Sequence, residues 1–206
     1  MRLAPLAGPL ERKPMPQPKR ILGLPLPLRP RSRLDADLRR YFAACEEKLG
    51  FVPNVLAAYT FDQTKLRAFA NLYNELMLAR SGLTRLEREM IAVVVSSANR
   101  CYYCLTAHGA AVRMLSGDPE LGEMLVMNWR VATLPRRQRT MLEFVHKLTA
   151  TPAEVGPADR ARLRKAGFKA RDVWDIASVA GFFNFTNRLA SAVDMMPNRQ
   201  YHAQAR

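Results

Sequence analysis

Apolar side chains recur at a helical period along most of this chain. Leu66, Phe69, Ala70, Tyr73, Leu76 and Met77 share one face, which predicts an amphipathic helix from Thr64, its cap, to about Arg80. Ser81-Gly82 stops it. Thr84, with Glu87 three residues later, reads as a capping box for a helix from Leu86 to Ala98. Residues 102–115 carry no proline and end at Ser116-Gly117, a helix stop. Asp118-Pro119 opens another helix to about Met127. Leu134-Pro135 begins one to Thr149, with Met141, Leu142, Phe144, Val145 and Leu148 on its apolar face. A short basic helix from Pro157 to Lys165 precedes a long one from Arg171 to about Val193. Near the start, Asp35 and Asp37 suit the first turn of a helix to about Lys48, closed by Gly50. Val93-Val94-Val95 is β-branched, but it follows a capping box and lies among helix formers. The pattern predicts an all-α chain.

Composition changes this picture at the ends. The net charge of +14 reads as a nucleic-acid signal until it is located. Residues 1–33 hold eight Lys/Arg, one Glu and eight of the fourteen prolines, so half the excess charge sits in a Pro-rich basic arm. Such a segment cannot stay helical for long. It is expected to be extended, or to pack across a neighbouring subunit, and no nucleic-acid partner is expected. A single helical domain is expected over 34–197, and a frayed tail over 198–206. No run of 18 apolar residues exists, so no membrane span is expected.

The chemistry concentrates between Glu87 and Arg113. Cys101 and Cys104 form a C-x-x-C pair, and His108 follows one helical turn after Cys104. On a helix these three fall within a sector of about 60°. Glu89, twelve residues before Cys101, lies on the preceding helix among apolar neighbours and is placed to orient or deprotonate His108. A redox dithiol with a proton relay is the favoured reading. A zinc site completed by His108 and Glu89, or two packed structural thiols, are the alternatives. At the helix start, the dipole favours Cys101 as the thiolate; the i, i+4 histidine favours Cys104. Cys45 and His146 stand alone and read as structural. Trp129 reads as core or interface. Asn187-Arg188, polar in an apolar helix, reads as an interhelical hydrogen bond or as lining for the site. No sequence pattern calls for a nucleotide, flavin, haem or metal cofactor.

The spacing E-x11-C-x2-C-x3-H resembles the signature of the AhpD-like alkylhydroperoxidases, within the carboxymuconolactone decarboxylase superfamily. GFVPNVLAAYT (50–60), LEFVHKLTATP (142–152) and FFNFTNRLASAV (182–193) resemble blocks of its longer branch, the peroxidase-related enzymes. The likeness covers roughly residues 35–197. It implies an AhpD-like helical bundle that assembles into dimers, trimers or hexamers. It also implies reduction of a hydroperoxide by a cysteine pair that an external dithiol re-reduces. Carried onto this chain, Cys104 attacks, Cys101 resolves, and His108 with Glu89 relays protons. Tyr103 departs from the best-studied members, which have a histidine before the second cysteine. A dithiol that must cycle implies a reducing, cytoplasmic compartment. The competing functions are a non-peroxidase enzyme of the superfamily, of decarboxylase or lactone type, and a dithiol redox-sensing module.

Overall fold

A computed structural model describes residues 19–206. Among these there is no strand; ten α-helices, joined by short 3-10 turns, make an all-α bundle. They are α1 (Ala36–Leu49), α2 (Asn54–Ala58), α3 (Gln63–Met77), α4 (Arg85–Ala98), α5 (Tyr102–Ser116), α6 (Pro119–Asn128), α7 (Arg136–Ala150), α8 (Pro157–Lys165), α9 (Ala170–Ala192) and α10 (Gln200–Ala203).

Helix α4 is the axis. Ten of its fourteen residues are buried, so it must be covered on all sides. Helices α5, α6, α7 and α9 pack around it. The predicted capping box forms: Glu87 N–H donates to Thr84 Oγ1 at 3.0 Å, and Thr84 N–H to Glu87 Oε2 at 2.9 Å. Three charged residues are buried near this start. Glu87 receives Arg137, Arg88 donates to the carbonyls of Leu76 and Leu83, and Glu89 meets His108.

Several boundaries differ from the sequence pattern. Helix α3 is capped by Asp62, whose carboxylate accepts from Lys65 N–H, rather than by Thr64. It ends at Met77, three residues before Arg80. Both residue types cap well, and the apolar face alone cannot choose between positions two apart.

The two ends of the chain behave differently from expectation. Residues 198–206 are not frayed. The Asn198 side chain donates to Val52 O and accepts from Asn54 N–H, and Arg113 donates to the carbonyls of Tyr201 and Gln204. Tyr201 also meets Phe51 edge-on at 5.0 Å. These partners lie far away in sequence, so no local pattern reveals them. The arm expected over 1–33 lies partly outside the described residues. Its later part runs across its own chain: Gly23 N–H donates to Val193 O, Met196 N–H to Ile21 O, and Arg29 N–H to Thr60 Oγ1. Leu22 is buried there.

Candidate active site

The turn between α4 and α5 sets the site. Arg100 N–H donates to Ser97 O and Cys101 N–H to Ser96 O, the paired bonds of a Schellman motif. The left-handed position, usually glycine, is Arg100, at φ +53°. Such a residue costs about 1–3 kcal/mol. The reversal places Cys101 at the N-cap of α5, with Cys104 one turn on. Both are buried and reduced.

The two sulfurs share a hydrogen bond, and their acidities separate. The Cys104 thiol, as donor, is the largest influence pulling the Cys101 pKa down, to about 6. No conventional cap bond forms at Cys101, yet the Cys104 amide, the Ser191 hydroxyl and His108 also favour its charge. Cys104 moves well above the ordinary thiol range, first because it donates to Cys101, then through burial. Asn187 and Thr186 work the other way, as donors that favour charge on Cys104. These influences favour Cys101 as the thiolate of the pair, the direction in which the helix-start argument also points.

His108 Nδ1 donates to Glu89 Oε2 at 2.6 Å. The pair is mostly buried, with Phe183 edge-on to the imidazole at 4.6 Å. The bond fixes the tautomer and leaves Nε2 as the basic nitrogen. Glu89, Cys101, Cys104 and His108 are thus brought to one region, as expected. Among the described residues no three His, Cys, Asp or Glu side chains gather as a metal-binding group. Cys45 is half-buried on α1, and His146 packs on Trp129 at 5.8 Å.

Helix α9 supplies two residues that sequence reasoning missed, Thr186 and Ser191. With Asn187 they lie at helical spacing, and all three act on the cysteine sulfurs. Asn187 is buried, donates to Ser96 Oγ at 3.0 Å and accepts from Asn99 at 2.9 Å. It therefore both bridges helices and lines the site. The i, i+1, i+5 polar pattern in an apolar helix was the available signal. Tyr103 is buried, and its hydroxyl accepts from Val55 N–H at 2.9 Å, tying α5 to α2. Burial first, and then the Glu89 carboxylate, keep the Tyr73 and Tyr201 hydroxyls protonated.

An apolar cavity of about 570 Å³ adjoins the pair. Leu22, Ala58 and Met195 line it and also pack in one cluster with Cys101 and Cys104. Phe69, Phe182 and Leu189 form other parts of the wall.

Comparison with known proteins bears on this arrangement. Residues 65–134 match the carboxymuconolactone decarboxylase family. A peroxidase-related protein from Silicibacter sp. TM1040 is 60% identical, over 94% of this chain and 100% of its own, with a TM-score of 0.89. An AhpD-core, peroxidase-related protein from Ralstonia eutropha JMP134 is 38% identical, over 91% and 97%, with a TM-score of 0.86. The debrominase Bmp8 shares the fold at 19% identity, over 82% and 90%, with a TM-score of 0.70. No curated protein matches the chain.

Proposed function

This chain belongs to the carboxymuconolactone decarboxylase family, in its AhpD-like, peroxidase-related branch, and on that premise we propose that it reduces organic hydroperoxides as a thiol-dependent peroxidase. The observation that carries the reading is one constellation. Two thiols of opposed acidity share a hydrogen bond, beside a histidine held by a buried carboxylate.

The proposed cycle begins with Cys101 as thiolate and Cys104 as its donor. As the hydroperoxide arrives, the Cys104 proton passes to Cys101. Asn187 and Thr186 stabilise the charge that develops on Cys104. The Cys104 sulfur attacks the terminal peroxide oxygen. The S–O bond forms, the O–O bond breaks, and the alkoxide leaves as an alcohol after taking the proton from Cys101. Cys101, again a thiolate, attacks the sulfenic acid on Cys104. An S–S bond forms, and hydroxide leaves as water on a proton delivered through His108, which Glu89 orients. The sum is one hydroperoxide and two thiols to one alcohol, one water and one disulfide. An external dithiol then reduces the disulfide by exchange. The adjoining apolar cavity supports a substrate with an apolar body.

Peroxide consumption with a panel of dithiol donors tests the reading. Many turnovers per chain are expected with at least one donor, with none in Cys101→Ser or Cys104→Ser. His108→Ala should slow turnover by about 10²–10⁴-fold at neutral pH, because the departing hydroxide loses its proton donor. A single stoichiometric oxidation with every donor would instead indicate a sensor, and no thiol loss at all a non-redox enzyme.

A further inference from the structure

We propose that the cleft between the Trp129 turn and helices α7 and α8 binds a small oxyanion, a carboxylate or phosphate group, at the edge of the Trp129 ring. The cleft encloses about 620 Å³ and shares no lining residue with the cysteine cluster or the apolar cavity.

Four cations line it: Arg130, Arg139, Lys147 and Arg162. Two are already balanced. Arg162 pairs with Glu143, and Lys147 with Asp159 at 2.8 Å. Arg130 and Arg139 have no carboxylate partner among the described residues. Arg139 donates only to the neutral carbonyls of Arg130 and Ala132. Both guanidiniums lie near the same ring, at 4.8 Å and 5.7 Å from the Trp129 centroid. Ring and carbonyls solvate them partly, but two like charges gathered at one ring favour an anion near both.

Trp129 adds an independent observation. It is 4% exposed, and its indole Nε1–H has no acceptor among the described residues. A buried indole N–H nearly always has one. Among the described residues the one carboxylate lining the cleft, Glu143, is held by Arg162. His146 lies across the ring; burial and the Arg130 charge keep it below its ordinary pKa, so it adds a neutral partner rather than charge. An oxyanion placed there accepts from Trp129, Arg130 and Arg139 together. Arg130 is exposed, so its guanidinium is free to turn toward a bound anion.

The chain has two tryptophans, so its indole N–H signals in a ¹⁵N–¹H spectrum are simple. Trp174, 72% exposed, is the internal control, and Trp174→Phe assigns the pair. Sodium phosphate and sodium acetate are titrated separately into the full chain at ionic strength held constant with chloride. A saturable downfield shift of the Trp129 indole proton, with Trp174 unmoved, is expected with at least one of them; which one saturates identifies the group. In Arg130→Ala the affinity should fall at least about tenfold, the scale of one charge-assisted hydrogen bond. Three results overturn the site: no Trp129 shift with either anion, a shift that never saturates, or equal affinity in Arg130→Ala.

Discussion

Cys101 and Cys104 differ by only three positions, yet their surroundings push their acidities apart. Cys101 has the Cys104 thiol as donor, the helix start and Ser191 in its favour; Cys104 loses most by donating. Thiolate absorbance at 240 nm should therefore show one thiol per chain titrating near pH 6 in the reduced protein, and the rest only above the ordinary thiol range. Cys104→Ala removes the largest favourable influence, so the low titration should move up; Ser191→Ala should move it less. An unchanged titration in Cys104→Ala would contradict the shared hydrogen bond. The depressed pKa is also a stability statement. The Cys101 thiolate stabilises the reduced fold fully above the unfolded thiol pKa, and that contribution is lost as pH falls through about 6. Cys101, Cys104 and His108 were legible because C-x-x-C-x3-H puts them on one helix face, and Glu89 because it is a charge among apolar neighbours on the preceding helix. Thr186 and Ser191 were not, because they act from a helix some 80 residues downstream and carry no motif.

The α4–α5 turn and the contact of α5 with α2 hold the pair in place. A capping box starts α4 and Gly117 ends α5, and both were readable from residue type. The turn between them was less so, since Arg100 stands where a glycine would have announced the reversal. Tyr103 shows the same limit. Its position in the motif was plain, but its bond to Val55 N–H depends on where α2 packs. Tyr103→Phe keeps the ring and strands a part-buried backbone donor, at a cost of about 1–3 kcal/mol. Denaturant unfolding should show a lower midpoint at an unchanged slope. Equal stability would mean that the bond is not formed or that water replaces it.

At the scale of the molecule, the helical bundle followed from periodicity, whereas the path of the two ends did not. An extended Pro-rich arm leaves no periodic trace of what it lies on. Because Ile21 and Gly23 bond to Met196 and Val193, and Leu22 is buried, Leu22, Leu24 and Leu26 wall the apolar cavity from within the same chain. Burying a leucine stabilises by about 1.5–3 kcal/mol. Deleting residues 1–28 should lower the melting temperature and weaken turnover, whereas deleting 1–18 should leave the wall in place. Equal melting temperatures for the two truncations would contradict that role. Leu24, Leu72 and Phe185 stand exposed around the cavity, and light scattering at micromolar concentration is expected to give a dimer or larger.

The central claim is that Cys104 attacks while Cys101 first takes its proton and then resolves the product. Mass mapping of a trapped sulfenic acid in the two single-cysteine variants tests it most directly. In Cys101→Ser, one equivalent of peroxide should leave one trapped sulfenic acid per chain, on Cys104. In Cys104→Ala, Cys101 loses its main stabilising donor and should give none at neutral pH. A sulfenic acid on Cys101 in Cys104→Ala, with none on Cys104 in Cys101→Ser, would reverse the assignment.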